Sequence, residues 1–83
     1  MIKLTEAEKN ILRNLPRSFK WIVRDEHEDI KVYQEKPFKE GILWKSENIW
    51  CYEYLNVFNH LFRFIKWSDE EPYLIDDLLK EGD

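Results

Sequence analysis

An α+β fold, a small antiparallel sheet of three to five strands with an N-terminal and a C-terminal helix packed on it, is what this sequence predicts. Three observations carry the prediction. A capped amphipathic stretch opens the chain and a second one closes it. Between them, short runs rich in β-branched and aromatic residues alternate with polar turns. The connections are too short for parallel crossovers, so the strands are antiparallel. The 83 residues amount to one domain, 1–83, with no room for a second core.

The first helix is expected over 6–14. Thr5-Glu6-Ala7-Glu8 has capping-box spacing, with Thr5 accepting from the amide of Glu8 and Glu8 reaching back to Thr5. Leu4, Ala7, Ile11, Leu12 and Leu15 then make one apolar stripe. Pro16 stops the helix by pushing Leu15 out of the α region.

A β-hairpin follows. Trp21-Ile22-Val23-Arg24-Asp25 and Ile30-Lys31-Val32-Tyr33-Gln34 read as its strands, and Glu26-His27-Glu28-Asp29 as a polar turn. One face is expected to carry Trp21, Val23, Ile30 and Val32. The turn lacks Gly and is therefore expected to exceed two residues. Lys36-Pro37 ends the second strand and Gly41 marks a turn. Ile42-Leu43-Trp44-Lys45 reads as a third strand. Past the turn Ser46-Glu47-Asn48, Ile49-Trp50-Cys51-Tyr52-Glu53-Tyr54 reads as a fourth, giving an antiparallel meander.

Residues 55–67 hold no single period. Val57, Phe58, Leu61 and Phe62 fit a short helical turn, and Phe64-Ile65-Lys66-Trp67 a last short strand. The final helix is expected to open at Glu71-Pro72, to carry Leu74, Ile75, Leu78 and Leu79 as its stripe, and to stop at Gly82. Asp69, Glu70 and Glu71 suit the positive end of its dipole and Lys80 the other end.

With 43% hydrophobic and 16% aromatic residues, the chain is not of a disordered class. Its net charge of −4 is unevenly spread. Residues 1–45 carry ten Lys/Arg against eight Asp/Glu, and residues 46–83 three against nine. An acidic chain of this kind argues against non-specific nucleic-acid binding. No apolar run approaches a membrane span, and the start MIKLTEAEKN has no signal-peptide core, so a cytoplasmic protein without membrane contact is expected. Cys51, the single cysteine, reads as a buried small hydrophobe in a reducing compartment.

Several stretches taken together carry a resemblance. They are Leu15-Pro16 followed by Phe19-Lys20-Trp21-Ile22, Val23-Arg24-Asp25 and Lys36-Pro37, then Phe58-Asn59-His60-Leu61-Phe62, Phe64-Ile65-Lys66-Trp67 and Asp69-Glu70-Glu71-Pro72-Tyr73. The chain resembles small uncharacterised phage- and prophage-encoded proteins of low-GC Gram-positive bacteria. Those proteins often carry Gly in the hairpin turn where this chain has Glu28-Asp29. The resemblance implies a phage or mobile-element origin in a bacterial host, and it brings no catalytic residues.

Among candidate sites, Arg24-Asp25 reads as a local ion-pairing or turn-starting pair before it reads as a recognition pair. His27 sits in a solvated turn, since metal sites usually gather several Cys or His. His60 with Cys51 would make a base and a nucleophile, but no third group orients them. Asp69, Glu70, Glu71, Asp76 and Asp77 read either as a solvated face matched to the helix dipole or as an acidic surface that suits a basic partner; imitation of nucleic-acid charge before a host enzyme is one form of the second. Trp50, Tyr52 and Tyr54 alternate along the fourth strand; with Trp21, Trp44 and Trp67 they either pack in one large core around the sheet or leave rings exposed that mark a protein interface or a homodimer face.

The expected function is that of a non-enzymatic phage or prophage accessory protein, binding a host or phage protein through these acidic and aromatic residues. A nucleic-acid-binding regulator using Lys9, Arg13, Arg17, Lys20 and Arg24 is the alternative. No phosphate loop, metal cluster or triad spacing is present in the sequence, so neither catalysis nor a cofactor is expected.

Overall fold

The computed structural model describes residues 2–48 and 51–81. Helix α1 spans Glu6–Asn14, and both halves of its capping box form: Thr5 Oγ1 accepts from the Glu8 amide and Glu8 Oε1 from the Thr5 amide. Leu15 is extended before Pro16, as the steric conflict with proline requires. Leu4 and Leu12 are buried, whereas Ala7 is exposed and Glu8 is buried. Glu8 lies inward because its second oxygen accepts from the distant amide of Phe62 at 2.5 Å.

Strands β1 (Trp21–Arg24) and β2 (Ile30–Tyr33) form the expected antiparallel hairpin, with Ile22 opposite Val32 and Val23 opposite Lys31. This register corrects the expected face. Directly opposed residues share a face, so Ile22, Arg24, Ile30 and Val32 lie on one side, and Trp21, Val23, Lys31 and Tyr33 on the other. The cause is loop parity. Five residues, 25–29, separate the strands, and the four-residue loop implied by the sequence would have inverted the pairing. In the turn, Asp25 Oδ1 accepts from the amides of His27 and Asp29, both at 2.9 Å. Glu28 adopts φ 68°, the left-handed region that glycine favours.

Strands β3 (Phe38–Glu40) and β4 (Leu43–Lys45) pair through a turn at Gly41, whose φ is 64°. This two-stranded sheet stands apart from the main one, so the expected simple meander is interrupted and its third strand has a partner the sequence reading lacked. Strand β5 (Tyr52–Tyr54) returns to the main sheet beside β2. Positions 49 and 50 of the expected fourth strand lie outside the described residues.

The last third departs furthest from expectation. A single 3-10 turn at Asn56–Phe58 is followed by turns, and residues 64–67 form no strand. Strand β6 (Tyr73–Leu74) pairs with β1, and only then does helix α2 run, over Ile75–Glu81. Pro72 does not open that helix. The free edge of β1 captures the two residues after it, a tertiary pairing that overrides the local helix-start signal. The main sheet is wholly antiparallel in the order β5-β2-β1-β6.

Each face has its own core. Leu4 and Leu12 of the N-terminal helix region, Ile75 and Leu78 of α2, and Phe62 and Ile65 pack on Ile22, Ile30 and Val32. On the opposite face Trp44 of β4 and Cys51 pack on Val23 and Tyr33. The accessible surface is 5555 Å², close to the roughly 5,400 Å² expected at this mass. No helix among the described residues is long and apolar enough to cross a membrane.

Candidate binding surface

One side chain makes most of the contacts that hold residues 59–65. Arg24 is 4% exposed and gives five hydrogen bonds to main-chain carbonyls. Nε donates to Ile65 at 2.7 Å, one terminal nitrogen to Glu28 and Asn59, and the other to Leu61 and Phe62. Burial pulls its pKa down, Glu28 opposes that, and Arg63 adds to it. A guanidinium nonetheless stays charged at neutral pH. Asn59 completes the attachment by accepting from the Ile30 amide at 2.8 Å and donating to Asp29 at 2.6 Å. Arg24 is thus a structural residue and no nucleic-acid contact. Asp25 starts the turn; it is 1% exposed, and its Oδ2 has no hydrogen-bond partner among the described residues.

The acidic and aromatic halves of the expected surface do not meet. Tyr52 and Tyr54 lie on β5, one edge of the sheet, while residues 69–71 precede β6 at the other edge and Asp76 and Asp77 follow it. Three strand spacings, about 14 Å, separate the edges. Several of the carboxylates are also engaged locally. Asp69 accepts from the Lys66 amide at 2.9 Å, and Glu71 lies 3.6 Å from Lys36. Asp76 shares a groove with Arg13, Arg17 and Lys20, over a floor that includes Leu12, Phe19 and Leu79. Glu70 and Asp77 are simply exposed. Trp50 lies outside the described residues.

The tyrosines form the more developed surface. Gln34 N donates to Cys51 O at 2.7 Å and Leu55 N to Ile30 O at 2.8 Å. With Glu53 opposite Val32, antiparallel alternation turns the polar groups of Glu53 toward β2 and those of Tyr52 and Tyr54 toward the open edge. Tyr54 is 48% exposed. Tyr52 is half-buried, with its ring 5.5 Å from that of Tyr33 and 5.8 Å from that of Tyr54.

Sequence reasoning missed Lys31. It stands opposite Tyr54 and is only 8% exposed, with Nζ 4.8 Å from the Tyr52 ring centroid, 5.1 Å from Tyr54 and 5.8 Å from Tyr33. The signal lay in the strand alternation, Lys31/Tyr33 against Tyr52/Tyr54, but it needed the register to be read. Burial pushes the Tyr33 phenol well above its ordinary range, and Tyr52 and Tyr54 push the same way. Tyr54 is raised too, by burial first and then by Tyr52. Beside these rings a cleft of about 450 Å³ opens toward β4, lined by Lys31, Trp44, Lys45 and Tyr52 among others.

The remaining candidates form no catalytic group. Cys51 is buried in the core beneath β4, its sulfur 2.9 Å from Ser46 Oγ, whereas His60 is exposed in the segment that Arg24 holds against the other face. His27 is exposed beside Glu26. Comparison with protein-family models, with curated proteins and with solved structures finds no match to this chain.

Proposed function

We propose that the chain is a non-enzymatic binding protein, of the phage or prophage accessory kind that its sequence blocks resemble, and that it engages a partner protein through the Tyr52–Tyr54 edge of the sheet. One observation carries the reading: an edge strand whose outward amides and carbonyls belong to two tyrosines, one of them largely exposed. Such an edge offers main-chain pairing to an extended segment, and tyrosine supplies contact area at low entropic cost. A second copy of the chain, paired β5 to β5, is the homodimeric form of the same reading.

The test joins solution mass with partner capture from host lysate at low salt. Tyr54→Asp is expected to abolish a dimer or a captured partner while the fold persists. A monomer that captures nothing, or a complex indifferent to Tyr54→Asp, would sink the proposal.

The alternative, nucleic-acid binding, now rests on the groove that gathers Arg13, Arg17 and Lys20. It requires a salt-sensitive mobility shift that Arg17→Glu removes. A flat titration at low ionic strength disposes of it.

A further inference from the structure

We infer that the cleft between β4 and the tyrosine-bearing face of β2 and β5 is a binding site for a small planar anion, an aromatic ring carrying a carboxylate or phosphate group, with Lys31 as its charge contact. The inference rests on Lys31 and the sheet face, not on the open edge of β5, so it stands or falls separately from partner binding.

Lysine normally keeps its ammonium in water and buries only its stem. Lys31 is 8% exposed, and it makes no hydrogen bond or ion pair with any described residue. Three tyrosine rings surround Nζ. Ring faces offset part of the lost hydration, but no described residue gives its N–H donors an oxygen acceptor, and Nζ keeps only the solvent contact that the cleft allows. Lys31 lines the cleft, as does Tyr52, whose ring centroid is 4.8 Å from Nζ, so an acceptor from a ligand has a place to sit.

The other walls narrow the chemistry. Lys45 adds a second cation, partly engaged by Glu40 at 3.0 Å, and among the described residues no carboxylate lines the cleft. This is notable in a chain of net charge −4. A cationic ligand would meet two like charges there. Half-buried Tyr52 offers the cleft a ring face, with Trp44 and Tyr33, 5% and 2% exposed, packed behind it, which suits a ring more than a flexible chain. The Tyr52 hydroxyl makes no hydrogen bond with a described residue and is a further donor for an anion. Ser46 and Asn48, which bond to each other, close the polar rim. A volume of about 450 Å³ holds one small ring with its charged group.

The test is a titration of the intact protein followed by NMR at the Trp44 indole N–H, which donates to Arg24 O inside the same core. Indole-3-acetate and phenyl phosphate are the probes. Benzyl alcohol supplies a ring without charge, and acetate and inorganic phosphate supply charge without a ring. Saturable binding of at least one probe is expected, at least about tenfold tighter than any control. The preferred probe identifies the anionic group. Lys31→Gln is expected to weaken that probe about tenfold or more. In the unaltered protein, added salt must weaken the charged probe and leave benzyl alcohol unaffected, which keeps the test decisive should the variant fold poorly. No saturable shift into the millimolar range, equal binding of benzyl alcohol, a salt-independent probe, or a folded Lys31→Gln that binds as the parent does would each overturn the inference.

Discussion

Two buried cations stand on opposite faces of one hairpin, and their surroundings differ completely. Arg24 faces the helices and meets five main-chain carbonyls. Lys31 faces the β3–β4 hairpin and meets three phenol rings and, among the described residues, no oxygen acceptor. On the helix side, charge is used to hold an irregular segment in place, and its donors are consumed. On the hairpin side, a charge is held in reserve beside a cleft. Burial alone therefore does not distinguish a structural cation from a binding one; the presence or absence of an acceptor does.

The contrast is sharpened most by Arg24→Ala. It leaves the carbonyls of Leu61 and Ile65 without a donor among the described residues, takes one of two donors from that of Phe62, and is expected to cost about 3–5 kcal/mol, measured by urea unfolding. Arg24→Lys is expected to recover little of this, since one ammonium cannot span the carbonyl set of a planar fork. A cost near zero would make residues 59–65 self-supporting.

Next in size is a matched pair. Val32 and Val23 are both buried, on opposite faces. Val32→Ala is expected to cost about 2 kcal/mol, and Val23→Ala about 1 kcal/mol because the cleft lets its surroundings relax. Equal costs would mean that the two cores are equally tight.

Tyr33 gives the hairpin face a signature in alkali. Its folded pKa lies above the ordinary 10.0. Below pH 10 both states keep the proton, and the contribution is complete. Above it the unfolded chain ionises while the folded chain does not, so stability falls as pH rises, by up to about 1.4 kcal/mol per pH unit. Thermal melts across this window are expected to show the loss, and Tyr33→Phe to remove its part of it. Lys31→Met is expected to leave stability unchanged or to raise it by about 1 kcal/mol, because the side chain is 8% exposed and no described residue gives the charge an acceptor. A clear loss would mean that the rings alone satisfy the ammonium. Smallest of all, Tyr54→Ala should shift stability by less than about 0.5 kcal/mol, so that any binding defect in this variant reports on the surface and not on the fold.

Local features were legible in the sequence and long-range ones were not. The capping box of Thr5 and Glu8, the stop at Pro16 and both hairpin strands follow from neighbours a few residues apart. The face assignment failed on one residue of loop length, which no propensity reports. Residues 59–65 were unreadable because the group that shapes them, Arg24, lies 35 to 41 residues earlier. Strand β6 was hidden for a similar reason, its partner being β1. Of the candidate surface, Tyr52 and Tyr54 were visible from their alternation, but Lys31 became part of it only through the register. The acidic residues were visible as composition, and the strand order then placed them at the far edge.

Arg24 binds carbonyls, and every residue type supplies the same carbonyl. Its grip on residues 59–65 is therefore blind to which side chains that segment carries. A saturation scan should show one intolerant position at 24 facing a stretch in which Asn59, with its own side-chain bonds, and the buried Phe62 and Ile65 resist change while His60 and Arg63 vary freely. Insertions there should fail where substitutions pass, since they displace the carbonyls themselves. The segment can change its chemistry without changing its path.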